Sequence, residues 1–112
     1  MKRYDLIKSG SDSLLLSLME DESMYGYQII KEMERRSQGY FKYKEGTLYP
    51  ALHRLEKAGL ISSQWQTLPN GRNRRYYNIT SQGTTRLARE RLRWHYFLYA
   101  MKLILQPESA QS

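Results

Sequence analysis

Asn70-Gly71 lies between two stretches of alternating character, and this leaves the middle of the 112-residue chain few ways to fold. Before it, Leu60 to Thr67 alternates as a strand does, with Ile61, Ser63 and Trp65 sharing a face. After it, Arg72 to Thr80 sends Arg75, Tyr77 and Ile79 one way and Arg74, Tyr76 and Asn78 the other. Leu68-Pro69-Asn70-Gly71 is a turn signal, and Asn-Gly is the strongest hairpin dipeptide. The pattern predicts an antiparallel hairpin that presents Arg72, Arg74 and Arg75 at its tip. Charge at a sheet edge also guards against edge-to-edge pairing. Three arginines around one turn exceed that need.

Most of the chain outside the hairpin reads as helix, with a turn around Gly39 over Ser37 to Tyr43. Between Lys44 and Gly59, Leu48, Leu52 and Leu55 recur at the spacing of one apolar stripe. Gly59 stands where a left-handed C-terminal cap belongs, with Leu60 as its hydrophobic plug. Tyr49, Pro50, His53, Arg54 and Lys57 fall on or near the other side, which carries cations and hydrogen-bonding groups and almost no acid until Glu56. Pro50 falls in the second turn, where its missing N–H frees the Gly46 carbonyl, a cost that surface contacts by Pro50 would justify. Upstream, residues 11–20 predict a helix with Leu14, Leu15, Leu18 and Met19 as its stripe; a start nearer Asp5 is the alternative, although Gly10 weakens that extension. Ser23 can cap a helix over 24–36, with Ile29, Ile30 and Met33 buried and Gly26 allowing a close approach in its first turn.

Thr80 can cap a final helix over residues 81–106. Such a helix extends roughly 35–40 Å. Its second half is apolar nearly all round. Leu87, Trp94, Leu98, Met101 and Leu105 form a seam, flanked by Phe97 and Ile104. A domain this small cannot cover both apolar sides of it. The remaining surface predicts a second copy of the chain across a two-fold axis.

The net charge of +7 is unevenly placed. Residues 1–34 hold four cations against seven acids, residues 35–80 nine against two, and residues 81–112 five against two. The middle block therefore carries an excess equal to the whole. Clustered cations attract a polyanion and release its counterions on binding; a solvated basic face is the plainer reading. The chain has no cysteine, so disulfides and thiolate metal sites are excluded. His53 and His95 lie on different helices, and no nucleophile elbow or Gly-rich phosphate loop is present. The expectation is a non-enzyme without cofactor or metal, soluble and cytoplasmic, with no membrane association.

Helix, helix, turn, helix, basic-tipped hairpin and long helix is the order of a winged helix-turn-helix with an appended dimerisation helix, an α+β class that is mostly α. Residues 1–80 form the DNA-binding domain in this reading, 81–106 the dimerisation helix and 107–112 a flexible tail. The residues also resemble the PadR family of bacterial transcriptional regulators. The marks are Tyr25-Gly26-Tyr27-Gln28-Ile29, Gly46-Thr47-Leu48-Tyr49-Pro50-Ala51-Leu52, and Arg54-Leu55-Glu56-Lys57-Ala58-Gly59-Leu60-Ile61. Arg74-Arg75-Tyr76-Tyr77-Asn78-Ile79-Thr80 and Gly83 complete them. The single C-terminal helix is similar to the compact branch of that family.

The resemblance implies a dimeric repressor that binds an inverted-repeat operator in double-stranded DNA. Thr47, Tyr49, Pro50 and His53 would then face the groove, with Lys44 and Arg54 beside them. Arg72, Arg74 and Arg75 would meet phosphate or the minor groove. Tyr25 and Tyr27 would sit near the DNA backbone. Some compact members bind planar drugs between aromatic residues at the dimer interface, where Trp94 would be the stacking residue. A packed interface tryptophan is the other reading of Trp94. The alternative to a DNA regulator is a small-molecule-sensing or protein-interaction module built on the aromatic cluster from Trp94 to Tyr99.

Overall fold

The protein is described from a computed structural model, which places residues 3–106, with side chains from Gly10 onward. The tail expected over 107–112 lies outside the described residues. In chain order the elements are α1 (Arg3–Leu18), β1 (Met24–Tyr25), α2 (Gly26–Arg36), α3 (Glu45–Lys57), β2 (Ile61–Thr67), β3 (Asn73–Ile79) and α4 (Ser81–Leu105). The sheet is antiparallel, ordered β1-β3-β2. This is a winged helix-turn-helix followed by one long helix.

One core joins the elements. α1 contributes Leu15 and Leu16, with Met19 in the turn just after it, α2 Ile29 and Met33, and α3 Leu48, Leu52 and Leu55. Ile61 and Tyr77 close it from the sheet, and Leu87 from α4. Each aliphatic side chain buried in this way contributes roughly 1.5–3 kcal/mol. Leu87 is 1% exposed, so it belongs to the chain's own core and not to an interface between copies. The periodic seam predicted along α4 therefore begins as an internal contact.

α1 takes the earlier start, running back to Arg3 through Gly10, against which the Trp94 ring packs with its Cζ2 3.4 Å from where a β-carbon would stand. The start of α2 differs from the sequence reading. Ser23 caps nothing. Met24 and Tyr25 pair with Tyr77 and Tyr76 as a third strand, and α2 starts at Gly26 with Tyr25 as its N-cap.

The junction of α3, wing and α4 is closely tied. Gly59 adopts φ +80°, with Gly59 N–H bonded to the Glu56 carbonyl and Leu60 N–H to that of Leu55, which is the Schellman arrangement. Thr80 holds three chain segments together. Its hydroxyl donates to the Gly59 carbonyl at 2.7 Å and accepts from Gly83 N–H at 3.0 Å, while its N–H reaches the Leu60 carbonyl. Thr80→Ala removes a helix cap and leaves the Gly59 carbonyl without that donor. The expected loss is about 1–2 kcal/mol of unfolding free energy, read by urea titration at unchanged m-value.

α1 and α4 are further linked by Arg91, which grips the Glu20 carboxylate at 2.8 Å through both terminal nitrogens and donates to Ser17 Oγ. The Arg91 hydrogen bond holds Glu20 below its ordinary value of 4.5. That link is fully formed above the ordinary value and is lost as pH falls through the lowered one. From Arg91 onward, every described side chain except half-buried Trp94 is exposed.

Candidate nucleic-acid interface

Between the wing, the start of α2 and the first half of α3 lies an open hollow of about 590 Å³. Tyr25, Gly26 and Tyr27 line it from the β1–α2 junction and Tyr49 from α3. Trp65, Asn73, Arg74, Arg75 and Tyr77 line it from the strands, and Leu68, Asn70 and Arg72 from the turn. The folding of each part explains the grouping. Arg72 closes a three-residue loop, Pro69-Asn70-Gly71: Leu68 N–H bonds to the Arg72 carbonyl, and Gly71 takes φ +85°. That register sets Arg75 opposite Trp65 and Arg74 opposite Gln66.

Tyr49 reaches the hollow because Gly26 makes room. A β-carbon on Gly26 would lie 2.7 Å from Tyr49 Cζ and closer still to its hydroxyl. Tyr49 is nevertheless 44% exposed and lines the hollow. Tyr77 is buried in the floor. Burial pushes its phenol above the ordinary value, Tyr49 and Glu56 add to this and Arg75 opposes it. It therefore remains a neutral hydroxyl at physiological pH.

The arginines divide into two groups. Arg74 lies with its guanidinium carbon 3.9 Å from the centre of the Tyr25 ring, and Arg72 is exposed at the turn. Arg75 turns toward α3, donating from Nη2 to Glu56 Oε1 at 3.1 Å and from Nε to Ser63 Oγ at 2.9 Å. Ser63 Oγ in turn donates to Glu56 Oε2 at 2.6 Å. Arg54, grouped in the sequence reading with the groove-facing residues, grips Asp12 of α1 through Nη1 and Nη2 at 3.0 and 2.8 Å. It ties α3 to α1. Lys44, the N-cap of α3, and Thr47, Pro50 and His53 on it are exposed but do not line the hollow. The basic residues of the middle block thus converge in part: Arg72, Arg74 and Arg75 share one hollow, while Arg35 and Arg36 pair with Glu32 on α2.

Sequence reasoning missed Trp65, Asn73 and Tyr77 as parts of this surface. The signal was present for two of them, since Trp65 and Tyr77 share the strand faces that alternation assigns. Their relation to α3 was not encoded in any period. Among the described residues no helix is long and apolar enough to cross a membrane, and no cluster of three or more His, Asp or Glu could hold a metal.

Comparison with known proteins agrees with the fold. Residues 15–89 match the model of the transcriptional regulator PadR-like family. An uncharacterised protein of Lysinibacillus sphaericus is 39% identical over 88 residues, spanning 79% of this chain and 81% of that protein. A PadR family transcription regulator of Clostridium difficile is 35% identical, with a TM-score of 0.73 over 84% of this chain and 96% of that one. Bacillus subtilis PadR, solved in complex with operator DNA, shares the fold at a TM-score of 0.65 and 20% identity, over 70% of this chain and 45% of its own. The chain belongs to the PadR-like family of transcriptional regulators.

Proposed function

We propose that the protein is a homodimeric, sequence-specific DNA-binding repressor that recognises an inverted-repeat operator. The observation that carries this reading is the hollow itself, where three arginines and three exposed or half-exposed tyrosines meet beside the recognition helix. α3 enters the major groove in this reading, and Thr47, Tyr49, Pro50 and His53 meet base edges or the adjacent backbone. The wing arginines supply affinity through phosphate, with little sequence information. Exposed apolar side chains on α4 support pairing of two copies: Leu98 is 59%, Ile104 80% and Leu105 68% exposed. Lone apolar groups on a surface are ordinary, but a run of them along one helix marks an interface.

The test is a salt titration of binding to duplex DNA. Arg72→Ala and Arg74→Ala should each weaken binding to all sequences similarly and reduce the slope of log K against log salt by about one unit. Unchanged slopes in both variants would remove the wing from the interface. Sedimentation of the free protein should give a dimer.

A second reading has its own observation. An apolar cleft of about 480 Å³ lies between α1 and α4, lined by Leu14, Leu87, Trp94 and Leu98 among others. It supports a planar small-molecule effector bound against Trp94. With Trp65 first replaced by Phe, planar cationic compounds should quench the remaining fluorescence. A broad panel without quenching would leave Trp94 a packing residue, set edge-on to Phe97 at 5.4 Å.

A further inference from the structure

Both strand arginines of the wing lie by aromatic rings, Arg75 with its guanidinium carbon 5.6 Å from the centre of Trp65 and 5.7 Å from that of Tyr77, but their closest contacts differ. Arg75 is held by hydrogen bonds that use its in-plane donors, and those donors face Glu56 and Ser63 inside the domain. Arg74 has its guanidinium carbon over the Tyr25 ring, 3.9 Å from the centroid, the separation of a stacked pair. Stacking restrains a guanidinium while leaving its in-plane N–H groups open, and those groups grip phosphate in pairs. Tyr25 is itself well anchored. Its backbone is paired with Tyr76 in the sheet, and its ring meets the Tyr76 ring edge-on at 5.5 Å and 73°. Tyr25 is also half-buried, whereas its neighbour Tyr27 is exposed.

We propose that Tyr25 is a positioning residue, whose ring holds the Arg74 guanidinium oriented toward a phosphate of bound DNA. It acts through Arg74 and does not itself contact DNA. This rests on the reading of the hollow as a DNA surface. A restrained guanidinium loses less freedom when it binds, so the stacking strengthens binding without adding a contact. The same logic separates arginine from lysine at residue 74. An ammonium carries the charge but neither stacks as a plane nor forks onto phosphate.

The test is a double-mutant cycle on the full chain, using a mixed-sequence duplex of about three helical turns as probe. Tyr25→Leu should weaken binding about threefold to fivefold, the range of an exposed or half-exposed cation–π contact. Tyr25→Phe keeps the ring and should stay within about twofold of the parent. Arg74→Lys should keep the salt slope, since the charge is kept, yet weaken binding about as much as Tyr25→Leu. The double variant Tyr25→Leu/Arg74→Lys should be no weaker than either single variant. Additive losses would mean that Tyr25 acts independently of Arg74, and would overturn the proposal. So would a Tyr25→Phe variant as weak as Tyr25→Leu, because the hydroxyl would then be the active group. Should Tyr25→Leu fail to fold, Arg74→Lys still decides, and binding at the parent level overturns the proposal. Parent protein that binds no duplex would remove the DNA reading and this one with it. Parent binding with additive losses would remove this one alone.

Discussion

Gly83→Ala should cost about 3–5 kcal/mol of stability, near the upper end of what single substitutions do. Gly83 lies in the first turn of α4, buried against the junction that Thr80 ties together. A β-carbon there would fall within bonding-like distance of the Leu60 carbonyl oxygen, 3.0 Å from the Leu60 carbonyl carbon and 2.8 Å from Ile79 Cγ1. Backbone cannot turn aside as a side chain can. Leu60 is also fixed on both sides, through its N–H in the α3 cap and through its carbonyl from Thr80 N–H. The clash must therefore move α4 off the wing. Thermal melting followed by circular dichroism should show a fall of roughly 10 °C or more. A melt within about 2 °C of the parent would mean that the α3–wing–α4 junction is looser than its hydrogen bonds indicate.

Gly26→Ala should do the reverse, sparing the fold and damaging the site. The added methyl meets the phenol of Tyr49, a half-exposed side chain with solvent to move into. Alanine also favours helix over glycine by about 0.5–1 kcal/mol, which offsets part of any strain. The melt should shift by only a few degrees. Tyr49, however, must leave the hollow. Loss of one well-placed hydrogen bond to a base amounts to about 1–1.5 kcal/mol, so binding to a preferred site should fall about fivefold to tenfold. Tyr49→Ala should reproduce the loss, and the two substitutions together should add little. Full binding by Gly26→Ala would show that Tyr49 does not act from the position it holds here.

Those two glycines also mark what was legible in the sequence. Local geometry is written locally, so Gly59 as a left-handed cap, the Asn-Gly loop and the Thr80 cap could be read from neighbours a few residues apart. Alternation likewise gave Arg74 and Arg75 their opposite faces. Partners distant in sequence carry no such mark. Arg54 and Asp12 are 42 positions apart, and helical spacing says which face Arg54 occupies but not which side chain waits there. Arg75, Ser63 and Glu56 form a similar closed set across three elements. β1 has two residues, too few for any period to show, so Ser23 looked like a cap. On α4 the apolar seam resumes after the charged Glu90 and Arg91 and runs from Trp94 to Leu105. Periodicity cannot tell where packing on α1 stops and exposed surface begins.

The Arg54–Asp12 and Arg75–Glu56 pairs also change what the middle block of charge means. Arg54 adds to the net excess although its partner Asp12 lies outside the block, whereas Arg75 is paired with Glu56, an acid already counted within it. Such partly exposed pairs contribute little stability individually. Their larger effect is to orient α3 against α1 and against the wing. The charge that faces outward is therefore smaller than composition suggests; Arg72 and Arg74 bring part of it to the hollow, and Lys42, Lys44 and Lys57 carry the rest elsewhere.

The central claim is that two copies of this surface read a symmetric DNA sequence. Selection of binding sites from a random pool of duplexes tests it most directly. The account predicts enrichment of an inverted repeat whose half-sites lie one helical turn apart, about 34–36 Å, bound by two chains. Enrichment of a single unrepeated site bound by one chain, or no enrichment at all, would contradict it.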